Sequence, residues 1–287
     1  MDITVIVPIY QHWHMVTALF AGLAEQTLPT DRWEFLLVDN GSDVIPDEKD
    51  LPHFVRLLHC PEPGSYAARN TALQHARGEL LVFTDADCRP SPDWLSNVWQ
   101  AYESSNKQSL IAGGIEVARL EAGKQSLVEL YDMALGLSQA SYTRNGYAVT
   151  ANLAIPRVVF DRVGPFDKTR FSGGDKEFCL RARAAGYELI YRPNALIYHP
   201  ARRHWGEIAT KAKRIKGGKV CSGTFKSRAL HTIRTYLPPV WAFLSVVRNR
   251  RFSVRERICI LGVLCRLWAV EMIEVTQLLL GKTPERR

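Results

Sequence analysis

Two aspartates one residue apart, Asp85 and Asp87, follow directly on an apolar run in the stretch GELLVFTDADCRPSP, residues 78–92. Leu80, Leu81, Val82 and Phe83 read as a short strand buried on both faces of a mostly parallel sheet. In an extended chain, side chains two apart point the same way. Both carboxylates are therefore expected to face one point off the carboxyl end of the strand, where open α/β sheets bind ligands. That point suits a divalent cation holding a phosphate, because Mg²⁺ and Mn²⁺ take oxygen ligands and combine one or two carboxylates with substrate phosphates. A third acid, Asp39, closes the apolar run EFLLVDN and leads into the turn Asn40-Gly41-Ser42, so it is either a turn-forming residue or part of the same crevice. Asp175 follows Gly173-Gly174 and is expected at a helix N-cap, with Glu177 two residues on. His199 ends the last strand-like segment, and Asn152 is polar among apolar neighbours.

The elements that must position these residues alternate. Residues 3–9 read as a strand closed by Pro8 and Tyr10, followed by a helix with Val16, Leu19, Phe20 and Leu23 on one face. Strands at 34–39 and 55–59, a helix over 64–77, and the strand opening at Leu80 come next. Arg69 and Asn70 on that helix either reach a nucleotide or cap and solvate it. Further on, the pattern predicts helices at 94–104 and 125–137, strands at 111–118 and 147–156, and a short helix near 158–163. A helix from Asp175 stopped by Gly186, then strands at 187–191 and 195–198, complete it. This is an α/β chain with a Rossmann-like, mostly parallel sheet, and Pro8, Asp39 and the Asp85/Asp87 pair should meet at its C-terminal edge. Neither G-x-G-x-x-G nor G-x-x-x-x-G-K-[ST] occurs, so dinucleotide and P-loop readings lack their glycine cradles.

The net charge of +8 is uneven: residues 200–287 hold 19 Lys and Arg against 5 Asp and Glu, which leaves the first 199 residues acidic. An acidic half fits a cation site, and a basic one fits phosphate, anionic lipid or nucleic acid. Six scattered cysteines without metal-finger spacing read as buried reduced thiols, and the short apolar start MDITVIVPIY lacks a secretory pattern, so a cytoplasmic setting is expected. Residues 204–228 are basic and broken by Gly217, Gly218 and Gly223, which reads either as a flexible segment able to act as a lid or as a solvated charged face. Within 258–281, Arg266, Glu271, Glu274 and Gln277 fall in an arc of about 140°, leaving a broad apolar face. That amphipathic helix either packs on the catalytic domain or lies in a membrane interface with the 248–257 basic cluster on anionic headgroups.

Taken in order, V-I-V-P-I-Y (5–10), L-V-D-N-G-S (37–42), G-S-Y-A-A-R-N-T-A-L (64–73), F-T-D-A-D-C (83–88), T-A-N-L-A-I (150–155) and G-G-D-K-E-F-C-L-R (173–181), with His199 at the end, resemble the inverting family 2 glycosyltransferases with a GT-A fold. The resemblance implies a metal-dependent, inverting transfer of a sugar from a nucleotide-sugar, UDP- or GDP-linked, to a lipid-linked or polysaccharide acceptor. It implies that Pro8, Tyr10, Asp39, Ser42, Arg69 and Asp85 bind the nucleotide-sugar. Asp87 and His199 would hold Mn²⁺ or Mg²⁺, Asn152, Gly174 and Glu177 would meet substrate, and Asp175 would be the general base. Where the family carries a Glu-Asp pair, this chain has Gly174 before Asp175.

The expected organisation is a catalytic domain over 1–203, with a nucleotide-sugar half of about 1–90 and an acceptor half of about 91–203. A basic flexible segment over 204–230 and a membrane-associating helical extension over 231–287 follow. The chain is expected at the inner face of the plasma membrane, peripherally bound, with no nucleic-acid partner, since no recognition module is present. A dehalogenase-like phosphatase would want Thr or Val where Arg89 stands. The other alternative, a non-catalytic nucleotide-sugar-binding or membrane scaffold, rests on the missing acid at Gly174.

Overall fold

The computed structural model describes residues 1–120, 123–170, 172–221 and 224–284; Phe171 and the expected break at Gly223 lie outside them. The chain forms two compact units, one of residues 1–116 with 138–199, the other of residues 117–137 with 200–287. Residues 117–137, expected in the catalytic domain, therefore belong with the C-terminal helices.

The first unit is built on an eight-stranded sheet. Strands β1 (Ile3–Ile9), β2 (Trp33–Asp39), β3 (Val55–His59) and β4 (Leu80–Thr84) run parallel in the order β3-β2-β1-β4. β1, β2 and β4 are buried almost throughout, in keeping with their richness in Ile, Val, Leu and Phe. Pro8 is tolerated in a central strand because pairing between β1 and β4 stops at Ile6. Helices α1 (Val16–Ala24) and α2 (Ser65–Leu73) make the crossovers. α2 ends four residues short of the expected Arg77, whose backbone N–H is taken by the buried Glu34 carboxylate at 2.6 Å while its guanidinium pairs with the same acid.

Past β4 come β5 (Arg89–Pro90), α3 (Trp94–Ser104) and β6 (Leu110–Ala118). After α4 (Leu127–Leu135), which lies in the second unit, come α5 (Gln139–Arg144), β7 (Asn152–Pro156), α6 (Arg157–Val163), α7 (Gly174–Ala184) and β8 (Leu189–Pro200). β7 enters antiparallel between β4 and β6. It starts at Asn152 rather than 147, because residues 149–152 are held in a turn by Gln139, which bonds the Val149 and Asn152 backbones. The two strands expected over 187–198 are one, and Pro193 is accommodated because β5 pairs only with Ile197 and Tyr198. Beneath the C-terminal edge, Phe83, Phe160, Phe166 and Phe178 pack with ring centroids 4.7–6.0 Å apart. Such pairs contribute about 0.5–1.5 kcal/mol each beyond area burial, and these fix α6 and α7 against β4.

The second unit is helical: α4, α8 (Trp205–Cys221), α9 (Phe225–Tyr236), α10 (Val240–Arg248) and α11 (Val254–Leu279). The basic segment expected to be flexible is thus largely helix, with Ile208, Ala209, Ala212 and Val220 of α8 buried. α11 packs against α4, α8, α9 and α10 of its own unit. Its acids do not form a solvent face: Glu274 is 1% exposed and paired with Lys282 at 2.7 Å, and Glu271 pairs with Lys216 at 3.1 Å. Among the described residues no helix is long and apolar enough to cross a membrane.

Candidate active site

β4 ends at Thr84, and the two aspartates lie in a turn closed by the Cys88 N–H on the Asp85 carbonyl at 3.1 Å. The alternation that would aim both carboxylates at one point applies to extended chain, so the pair is divided. Asp85 Oδ1 accepts from the Arg69 guanidinium at 2.8 Å. Arg69 is 3% exposed, and its Nε has no acceptor among the described residues. A buried cation with one orphaned donor fits a ligand carrying acceptor oxygens.

Asp87 takes the other side of the turn. Its Oδ2 lies 3.8 Å from Nε2 of the buried His199, and Cys88 Sγ lies 3.8 Å from its Oδ1. The ligand atoms of Asp87, Cys88 and His199 all fall within 4.8 Å of one another. Carboxylate oxygen, imidazole nitrogen and sulfur are a donor set that fits a divalent transition metal, softer than the all-oxygen set expected for Mg²⁺. Burial, with the charges of Asp87 and Asp85, holds the Cys88 thiol well above its usual range, so it stays protonated without a cation to displace the proton. The sequence reading treated Cys88 only as a buried thiol; its place beside Asp87 was the available signal.

Asp175 sits on the second residue of α7 rather than at its N-cap, which is Gly173 in a left-handed conformation (φ 77°) that glycine adopts without strain. The carboxylate accepts from the Lys176 N–H at 2.8 Å and the Thr150 N–H at 3.4 Å, and Tyr66 Oη lies 3.4 Å from Oδ1. Burial raises its pKa above the usual aspartate value; the Lys176 N–H, Arg69 and the Thr150 N–H oppose the shift, and the charge of Asp85 adds to it. Asp175 is therefore more basic than a surface aspartate.

The remaining expected residues divide. Asp39 is 2% exposed and accepts from the Gly41 N–H at 3.0 Å and the Ser42 N–H at 3.2 Å, which is the turn-forming alternative. Ser42 Oγ accepts from the Gln11 N–H at 2.7 Å, which ties this turn to the end of β1. Pro8 lies within β1, and Tyr10 follows it with 40% of its surface exposed. Asn70 clamps the Phe166 backbone from both sides, at 2.8 and 3.0 Å, and is structural.

Two of the expected substrate contacts have partners within the chain. Asn152 is 1% exposed, accepts from Trp94 Nε1 and donates to the carbonyls of Gly114 and Ala195, so it ties strands together and has no group left for substrate. Glu177 is gripped by Arg181 through both carboxylate oxygens, at 2.9 and 3.1 Å, so the α7 pair satisfies itself. Gly174 lies against the Tyr66 ring, and the neighbour it meets is a residue that sequence reasoning missed.

The description of Glycosyl transferase family 2 matches residues 4–166. The chain belongs to this family. Among curated relatives, it is 31% identical over 225 residues to Glycosyltransferase AglE of Haloferax volcanii, covering 76% of this chain and 73% of that one. It is 30% identical over 228 residues to the Pre-mycofactocin glycosyltransferase of Mycobacterium tuberculosis, of which the match covers 45%. Solved structures share the fold: the mannosyltransferase PcManGT from Pyrobaculum calidifontis, in complex with GDP-Man and Mn²⁺, superposes with a TM-score of 0.61 at 20% identity, covering 97% of this chain and 86% of that one. S. aureus TarS 1–349 in complex with UDP-GlcNAc gives 0.56 at 16% identity, covering 97% and 84%. The expected α/β GT-A architecture and the enzyme class are thereby borne out.

Proposed function

We propose that this family 2 glycosyltransferase catalyses a metal-dependent, inverting transfer from a UDP- or GDP-linked sugar to a lipid-linked or glycan acceptor. The observation that carries the reading is the division of labour around the Asp85–Cys88 turn: a buried Arg69 with an unused donor, a cluster of metal-ligand atoms, and a half-buried carboxylate with raised basicity, Asp175. PcManGT with GDP-Man and Mn²⁺, and TarS with UDP-GlcNAc, support the donor class and the cation.

In this mechanism Arg69, fixed by Asp85, binds an oxygen of the donor, and Pro8, Tyr10 and the Asp39–Ser42 turn border its base and ribose. Asp87, His199 and Cys88 would hold the divalent cation. When bound, it supplies Lewis-acid neutralisation of the charge that develops on the departing diphosphate. Asp175 accepts the proton of the acceptor hydroxyl as that oxygen attacks the anomeric carbon from the face opposite the diphosphate, so the configuration inverts in one displacement. A carboxylate with raised pKa is a stronger base, which general-base catalysis favours.

The second unit supports the membrane side of the reading. Phe225 and Trp241 are each 82% exposed, with Leu237 and Val240 more than half exposed at the α9–α10 elbow. Lys226, Arg228, Arg234, Arg248, Arg250 and Arg251 accompany them over the same residues, where no acid intervenes. Large exposed apolar side chains among basic ones match an anionic lipid surface. The inserting residues of this reading are those of α9 and α10.

The test is nucleotide release from a panel of UDP- and GDP-sugars with Mn²⁺, for wild type and Asp175→Asn. Release by wild type, lost on chelation and about 10²–10⁴-fold lower in Asp175→Asn, is expected. Equal, near-zero rates with donor still bound would favour a non-catalytic scaffold instead.

A further inference from the structure

At the start of α7 the backbone has a need that the helix's own residues do not meet. The first N–H groups of a helix have no intrahelical acceptor, and Gly173 at the N-cap has no side chain to offer one. Gly174 is buried, so water is a poor substitute. The acceptor comes from a residue 108 positions earlier: Tyr66 Oη on α2 accepts from the Gly174 N–H at 2.9 Å and the Asp175 N–H at 3.3 Å.

The space at Gly174 is taken by the same residue. A Cβ built on Gly174 would lie 2.7 Å from Tyr66 Cε2 and 2.8 Å from Cζ, closer than real Cβ contacts come. No acid fits before Asp175 while Tyr66 holds this position, and the small residue and the large ring form one complementary pair. Tyr66 is itself fixed, 7% exposed, with its ring 5.8 Å from that of Phe166 and the Arg69 guanidinium 5.8 Å from its centroid.

We propose that Tyr66 is the positioning residue for Asp175, doing across space what a carboxylate at position 174 would do from the next residue in the chain. The claim rests on reading Asp175 as the general base. Its hydroxyl is bonded to the N–H of the residue that carries the carboxylate, and its proton has Asp175 Oδ1 within reach at 3.4 Å. That last contact is long for O–H···O, so the grip is chiefly on the backbone of α7's first turn. Burial, and then the charge of Asp175, hold the Tyr66 hydroxyl protonated across the working pH range. Tyr66 also links the two halves of the site, since α2 carries both Tyr66 and Arg69 and so sets the base and the Asp85 ion pair on one helix. The other charged or titratable groups whose fields reach Asp175 are Arg69, Asp85, Tyr147 and Cys179.

The experiment uses two variants of the full chain. Tyr66→Phe removes one oxygen and keeps the ring, so packing against Phe166 survives. It is expected to lower kcat at least about tenfold, the order of loss that a small misplacement of a reacting group causes, with donor KM unchanged. The acidic limb of its pH profile is expected to move to higher pH, since the carboxylate loses a donor. Gly174→Glu alone should be nearly inactive, because the new side chain meets the Tyr66 ring. Gly174→Glu combined with Tyr66→Ser, which opens that space, should recover activity above Gly174→Glu alone. Wild-type kcat and pH profile in Tyr66→Phe, or no recovery in the double variant, overturns the positioning role. Asp175→Asn separates the two claims: full activity there removes the base itself, whereas an inactive Asp175→Asn beside an unaffected Tyr66→Phe removes only the role of Tyr66.

Discussion

Replacing Asn152 by alanine distinguishes a strand clamp from a substrate contact. The side chain satisfies three buried partners: the Trp94 indole N–H at 2.9 Å and the carbonyls of Gly114 and Ala195 at 2.8 Å each. Leaving a buried polar group unpaired costs about 1–3 kcal/mol, so three would cost about 3–9 kcal/mol. The vacated amide leaves room for roughly one water, which could satisfy two of the three. The expected loss is therefore about 1–3 kcal/mol, the cost of the one group still unpaired, a substantial fraction of a typical domain's stability. Urea unfolding followed by tryptophan fluorescence measures it, with Trp94 reporting from the site of the change. Any protein that remains folded should still bind donor nucleotide. A loss below about 1 kcal/mol, together with abolished donor or acceptor binding, would refute the reasoning and return Asn152 to the substrate.

Other outcomes follow from the same contacts. Because burial raises the Asp175 carboxyl, the folded chain holds that proton more tightly than the unfolded one, so its contribution to stability falls as pH rises from about 3.8 through the raised value. Asp175→Asn should consequently melt higher than wild type at pH 7 and close to it at the acid end; a lower Tm at pH 7 contradicts the burial argument. Chelation should abolish transfer, Mn²⁺ should restore it, and Cys88→Ser should weaken inhibition by Zn²⁺ or Cd²⁺ relative to wild type, since the thiol is the soft donor of the set. Phe225→Ser with Trp241→Ser should reduce pelleting with anionic vesicles at least about tenfold while leaving transfer to soluble acceptors intact. Unchanged pelleting would move the membrane contact elsewhere.

The parallel half of the sheet was legible because buried parallel strands are written as largely apolar segments, and β1, β2 and β4 are such segments. Motif order placed Asp85, Asp87, Asp175 and His199 in one unit. What escaped the sequence depends on contacts between distant residues. Whether Asp85 and Asp87 point together is decided by a turn, and the partner that draws Asp85 away, Arg69, is sixteen residues upstream. The fate of Asn152 is decided by Trp94, Gly114 and Ala195 on three other segments. Tyr66 read as one residue of the helix over 64–77, and only the space at Gly174 shows its task. In the tail, the acids of α11 looked like a wet face because periodicity cannot see Lys216 and Lys282, which let Glu271 and Glu274 turn inward.

The most direct measurement of the division of labour in the site is an anomalous-difference map from crystals grown with Mn²⁺ and a nucleoside diphosphate. The account predicts one manganese peak within coordination distance of Asp87 and His199, Asp85 still on Arg69, and Asp175 away from the metal. A peak bridging Asp85 and Asp87, with Arg69 released, or a peak on Asp175, would contradict it.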